Sequence, residues 1–236
     1  MEINSITFNG INSLDYGLYV SGDKTFNSAE KDYSKVSVPG RSGDLLFFNK
    51  RFKNVNVTYS SIVISDYYQN TEKIRSWLMS ADGYCRLEDT YHPKEYRMAC
   101  FAGPIDFTTI MLEAGTTDLI FDCKPQRWLK SGEVPITFVT GNLRSLYNPC
   151  SFESKPKIRV YGNGRLQVGT GDLTINQAGD DYIDIDCDLQ DCYEDGINRN
   201  QNVSITKWPT LTPGNNIVSM ESTITKIEVI PRWWFI

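Results

Sequence analysis

The chain has 236 residues, 40% hydrophobic and 22% charged, with 17 Gly and 10 Pro, and its 24 Lys and Arg against 29 Asp and Glu leave a net charge of −5. That composition excludes disordered and collagenous chains, and a chain of this length folds without disulfide or metal staples. The bases are scattered rather than gathered in a stripe, which argues against sequence-specific nucleic-acid binding, and no apolar run approaches the roughly 18 residues of a membrane span.

The opening MEINSITFNG has neither a basic n-region nor an apolar h-region, so the expectation is a product that stays where it is made or leaves without a cleaved signal. Short β-branched and aromatic runs punctuated by Gly, Pro, Asn and Asp then predict a mainly β protein. Strands are expected at Ile3 to Phe8, Gly17 to Val20, Val36 to Val38, Asn54 to Ile64, Gly83 to Leu87, Tyr96 to Phe101 and Asp118 to Asp122. In Asn54 to Tyr59 the apolar Val55, Val57 and Tyr59 alternate with Asn54, Asn56 and Thr58, the pattern of a sheet with one wet face. One segment has helical period instead: after Asn70 or Thr71 as N-cap, Glu72 to Ser80 sets Ile74, Trp77 and Leu78 at i, i+3, i+4, a stripe expected to pack on the sheet.

Pro125 and Pro135 bracket Ser131 and Gly132, so strand propagation is expected to stop there, and a domain boundary is placed at 131/132. Splitting at that point leaves 15 bases and 16 acids before it and 9 bases and 13 acids after it. The second half predicts strands at Ile136 to Val139, Pro156 to Tyr161, Arg165 to Val168, Leu173 to Asn176, Tyr182 to Leu189, Asn216 to Ser219 and Thr223 to Ile230, joined by turns such as Gly162-Asn163-Gly164. Regular spacing suggests a β-sandwich.

Few segments offer chemistry. The six cysteines contain no CxxC, and without a signal peptide they read as reduced, mostly buried thiols. The single histidine, His92, rules out a His-rich zinc site, and no nucleophile accompanies it in DTYHPKEY. Asp184 to Gly196 holds six carboxylates and no base. As an EF-hand loop it fails, with Leu189 where Gly is needed and Asp195 where a bidentate Glu is needed. The alternation of Ile183, Ile185, Cys187 and Leu189 with Asp184, Asp186 and Asp188 predicts a strand with an apolar inner face and a solvated outer one. Gly40-Arg41-Ser42-Gly43 matches neither a nucleophile elbow nor a phosphate loop. It reads as a turn with Arg41 and Asp44 at its tip, and equally as a contact point for a partner chain. The closing EVIPRWWFI is either the last strand of the sandwich or an aromatic docking surface, with sugar stacking as one use of exposed Trp.

Several segments, in order, resemble the distal tail protein (Dit) family of siphophages infecting Gram-positive bacteria. They are FNGINSLDYGLYV (Phe8 to Val20), VPGRSGDL (Val38 to Leu45), FKNVNVTYSS (Phe52 to Ser61), IRSWL (Ile74 to Leu78), DGYCRLEDTYHPKEYRMA (Asp82 to Ala99) and FDCKPQRWL (Phe121 to Leu129). PKIRVYGNG (Pro156 to Gly164), YIDIDCDLQDCY (Tyr182 to Tyr193), LTPGNNIV (Leu211 to Val218) and IPRWW (Ile230 to Trp234) extend the likeness over nearly the whole chain. VPGRSGDL followed by GYCRLEDT is its most specific part.

The resemblance implies a mainly β fold: a tail-tube-like β-sandwich with one α-helix over residues 1–131 and a galectin-like β-sandwich over 132–236. It also implies a non-enzymatic virion protein without cofactor or metal, assembled in the host cytoplasm and located at the tail tip. Six copies would form a homo-hexameric ring joining the tail-tube protein to the tail-tip fibre protein and letting DNA pass, with receptor-binding proteins at the periphery in some phages and no membrane contact. Pro39, Gly40, Arg41, Ser42, Gly43, Asp44 and Leu45 are the candidate ring or partner interface. The short second half leaves little room for a long arm or an inserted carbohydrate module. The alternative function is a glycan-binding module aiding adsorption to the host cell wall.

Overall fold

The computed structural model describes residues 3–141, 144–176 and 181–236. The chain divides into two units, Met1–Arg127 together with Ile236, and Trp128–Phe235. The first carries β1 (Ile6–Phe8), β2 (Ile11–Asn12), β3 (Leu18–Val20), β4 (Lys31–Val36), β5 (Leu45–Phe52), β6 (Val55–Ile64), α1 (Tyr67–Met79), β7 (Cys85–Asp89), β8 (Glu95–Cys100), β9 (Thr108–Met111) and β10 (Ala114–Leu129). Its main sheet runs in the order β2-β1-β7-β8-β10-β6-β3, with β9 beside β10. The expected alternation in β6 holds: Val55, Val57, Tyr59 and Val63 are buried and pair with β10 from Cys123↔Val55 to Ala114↔Ile64.

The stripe of α1 closes this core. Ile74, Trp77 and Leu78 are buried among Phe8, Phe121 and Leu119, and Trp77 Nε1 donates to Phe8 O at 3.0 Å. The helix begins five residues earlier than predicted, because Tyr67 is also buried. Asn70 and Thr71 therefore lie inside the helix rather than capping it. Asn70 Nδ2 donates to Ser65 O at 3.1 Å and Thr71 Oγ1 to Tyr68 O at 3.0 Å, so their polar groups are satisfied locally. No helix among the described residues is long and apolar enough to cross a membrane.

Several strand boundaries differ from expectation. Val36–Val38 is not a strand of its own: Val36 ends β4, and Val38 begins the turn into β5, which the sequence reading missed. Pro125 does not interrupt β10, which continues to Leu129 before a 3-10 turn over Lys130–Glu133. Pairing with β6 ends at Cys123, so Pro125 has no β6 carbonyl to serve and its missing N–H goes unnoticed on that side.

The second unit carries β11 (Ile136–Val139), β12 (Arg144–Asn148), β13 (Lys157–Gly162), β14 (Gly164–Val168), β15 (Gly171–Ile175), β16 (Ile183–Asp186), β17 (Asp191–Glu194), β18 (Ile197–Asn198), β19 (Val203–Lys207), β20 (Gly214–Met220), β21 (Ile224–Ile230) and β22 (Trp234–Phe235). Two sheets, β11-β21-β13-β16-β17-β18 and β12-β20-β14-β15-β19, pack Ile158, Val160, Ile185 and Val229 of one against Leu166, Val168, Leu173 and Val218 of the other. This is the expected sandwich. The Gly162-Asn163-Gly164 turn carries the chain between the sheets, and a Cβ on Gly162 would meet Thr223 O at 2.4 Å, so only glycine fits.

The acidic run behaves differently from its prediction. The strand ends at Asp186, turns through Gln190 and returns as β17, leaving Leu189 exposed. Asp184 and Asp186 are each 3% exposed, not solvated. Strand β13 and the segment after β21 supply the bases the run lacks: Arg159 grips Asp184 with two hydrogen bonds (2.7 and 2.9 Å), Lys157 adds a third contact at 3.1 Å, and Arg232 grips Asp186 at 2.8 and 2.7 Å. No calcium is required to neutralise these carboxylates.

Candidate assembly surfaces

The seven residues Pro39 to Leu45 lie together at the tip of a hairpin formed by β4 and β5, which among the described residues pair only with each other. Arg41 N donates to Val38 O at 3.1 Å across the Pro39-Gly40 corner, and Gly40 and Gly43 adopt φ of 79° and 85°. Those are values that a side chain resists, which explains the glycines. Arg41 and Asp44 are exposed at the tip, and only Leu45 is partly buried.

The strands behind the tip are what sequence reasoning missed. Val36, Leu46, Phe47 and Phe48 are 46, 50, 57 and 54% exposed. A two-stranded ribbon is marginal in water by itself, and this one holds four large apolar side chains in solvent. The unbroken run Leu45-Leu46-Phe47-Phe48 after a Pro-Gly turn was the available signal.

A second surface is the outer face of β6 and β10. Asn56, Thr116, Asp118, Ile120 and Asp122 line it, with Asp106 alongside, so three carboxylates and no base border the hollow there. Small polar side chains and acids at alternate positions are what the period of two predicts for a wet face.

Beside β6, residues 21–30 form an irregular strap. Ser21 N donates to Ser60 O at 2.8 Å, Lys24 Nζ to Thr58 O at 2.7 Å and Asn27 Nδ2 to Asn56 O at 2.6 Å, so side chains replace a strand ladder along that edge. The Lys24 ammonium sits 3.4 Å from the centroid of the Tyr59 ring. Burial pulls its pKa down to about 8, against the opposing field of Asp89. The folded value lies below the unfolded one, so the unfolded state binds more protons between them, and this lysine's contribution to stability rises as pH climbs above 8. The buried thiols of Cys123, Cys187 and Cys192, whose pKa values burial raises, contribute with the opposite sign. The stability of the parent relative to Lys24→Met, read from urea unfolding, should therefore grow between pH 8 and pH 9; a constant difference would remove the lysine as a cause.

His92 lies in the turn after β7. Its backbone N–H donates to Asp89 Oδ1 at 2.8 Å and its Nδ1 stands 3.4 Å from the same oxygen, while Tyr59 donates to Asp89 Oδ2 at 2.7 Å. The nearby Cys123 thiol is pushed by burial up to about 12, the reverse of an activated nucleophile. The geometry is that of a satisfied polar cluster under the strap. The C-terminal aromatics are likewise engaged: Trp233 is buried in the sandwich core, and Trp234 stacks on Phe152 at 4.6 Å and donates to Glu153 O at 2.9 Å. One face of the Trp234 ring and its N–H are thus occupied, and among the described residues β22 joins neither sheet of the sandwich.

No protein-family model matches the sequence. No curated protein matches it either. Among solved structures, the Dit (gp 19.1) protein of SPP1, described as a paradigm of the hub adsorption apparatus in phages infecting Gram-positive bacteria, superposes with a TM-score of 0.78. The match covers 100% of both chains at 14% sequence identity. The chain has the Dit fold over its whole length.

Proposed function

We propose that this chain is a structural hub of a phage baseplate, located at the virion tail tip. Six copies close into a ring that joins the tail-tube protein to the tail-tip fibre protein and lets DNA pass. It acts by docking its neighbours rather than by catalysis. The observation that carries this reading is the β4–β5 hairpin, a ribbon that exposes apolar side chains on a chain whose fold matches a hub protein from end to end. Such a ribbon gains stability when a neighbour covers it. The acidic face of β6 and β10 suits the channel side of a ring, since carboxylates do not retain a passing phosphate backbone.

Negative-stain electron microscopy of the purified, concentrated protein tests the ring. Six-fold particles with a hole wider than a DNA duplex are expected. Isolated single particles at every concentration would count against self-assembly.

A further inference from the structure

Two surfaces mark the opposite ends of β6. Lys53 and Asn54 link β5 of the hairpin to the N-terminal end of β6, and β4 enters from the strap beside it. At its C-terminal end Ile64 pairs with Ala114, and the chain then turns through Ser65 and Asp66 into α1. Both turn residues have positive φ, 66° and 43°, although neither is glycine. Strain of that kind persists where the surroundings or a function demand it. Beside this turn lies an open hollow of about 420 Å³. Its lining includes Tyr68 and Leu112, 68 and 82% exposed, and the carboxylates of Asp66 and Glu113, with no base. Ten residues of extended strand separate it from the hairpin root by about 30 Å.

The two surfaces are complementary in both respects that can be read from them. Residues 31–52 hold five bases (Lys31, Lys35, Arg41, Lys50, Arg51) and two acids (Asp32, Asp44), a net charge of +3 in a chain of −5. The hairpin is therefore basic and apolar, and the hollow is acidic and apolar. They are also different patches. A patch that meets itself yields a closed dimer, whereas two different patches meeting head to tail propagate in one direction and close as a ring when the rotation allows.

We infer that the hairpin of one copy seats in the hollow at the C-terminal end of β6 of the next copy, Phe47 and Phe48 against Tyr68 and Leu112, with hairpin bases facing Asp66 and Glu113. This contact rests on the ring reading above and names the surfaces that make it.

The test uses two full-length variants, Phe47→Ser with Phe48→Ser, and Tyr68→Ser with Leu112→Ser. All four side chains are more than half exposed, and circular dichroism verifies that each variant is folded. Mass photometry is expected to show rings for the parent chain and monomers for each variant alone. An equimolar mixture should give 1:1 heterodimers, because one intact hairpin meets one intact hollow and the remaining surfaces are both disabled. Parent rings with an unaffected hollow variant, or a mixture of monomers only, would overturn this contact and leave the ring reading standing. A parent chain that stays monomeric would overturn both.

Discussion

Replacing Arg232 by Met is expected to destabilise the second unit by about 3–5 kcal/mol, the usual loss when one partner of a buried ion pair is removed. Arg232 forms two hydrogen bonds to Asp186, whose side chain is 4% exposed, and Asp186 Oδ1 also accepts from the backbone N–H groups of Asp188 and Leu189. Without the guanidinium a buried carboxylate is left with two backbone N–H donors and no counter-charge. The pair Arg165–Asp172 is the control. It too has two hydrogen bonds, at 3.0 and 2.7 Å, but it stands in solvent, so Arg165→Met should change stability little. Urea titrations of both variants would separate burial from pairing geometry. Equal losses would show that hydrogen-bond geometry decides, and the burial argument would fall.

The same pairs set the acid limit. Burial alone would raise the carboxyls of Asp184 and Asp186, but hydrogen bonds from Arg159 and Lys157 to one and from Arg232 to the other outweigh it and hold both below the usual carboxylate range. A depressed folded pKa gives stability that is complete above the unfolded value, near 4, and lost as pH falls through the folded one. In Arg232→Met the share of that acid loss due to Asp186 should disappear.

In the first unit the largest expected effect is Phe121→Ala. Phe121 is fully buried, and its ring meets Phe8, Phe101 and Tyr59 edge-on at 5.1, 5.1 and 5.9 Å. Truncation should cost about 3–5 kcal/mol in all, toward the upper end because it leaves a cavity among three rings that cannot all move inward and loses three ring pairs. Phe121→Leu keeps most of the volume and should lose much less. Loss of the near-ultraviolet aromatic signal and an early unfolding transition in the alanine variant would check it. A variant as stable as the parent would mean that the core collapses around the gap.

Where neighbouring residues carried the signal, the sequence was sufficient. Alternation in β6, the i, i+3, i+4 stripe of α1 and the glycines at 40, 43 and 162 are consequences of backbone periodicity and sterics, and each is found in its place. The signals that failed were those in which a distant strand decides. Asp184 and Asp186 alternate with apolar residues like a wet face, yet Arg159, Lys157 and Arg232, 25 to 46 positions away, bury them. Pro125 reads as a strand breaker, yet β10 passes it because β6 stops pairing two residues before.

The candidate interface shows the same division. Pro39 to Leu45 could be recognised as a turn from residue types alone, because Pro and Gly restrict or free φ wherever they stand. That β4 and β5 pair with no other strand, and so leave Phe47 and Phe48 in solvent, depends on which strands the sheet accepts. By itself the sequence determined the mainly β class, the single helix and the sandwich in the second half, all set by local periodicity. Only the tertiary structure decided which charges are buried, which edges are covered and which apolar side chains lack cover, because burial is a property of what the rest of the chain places alongside.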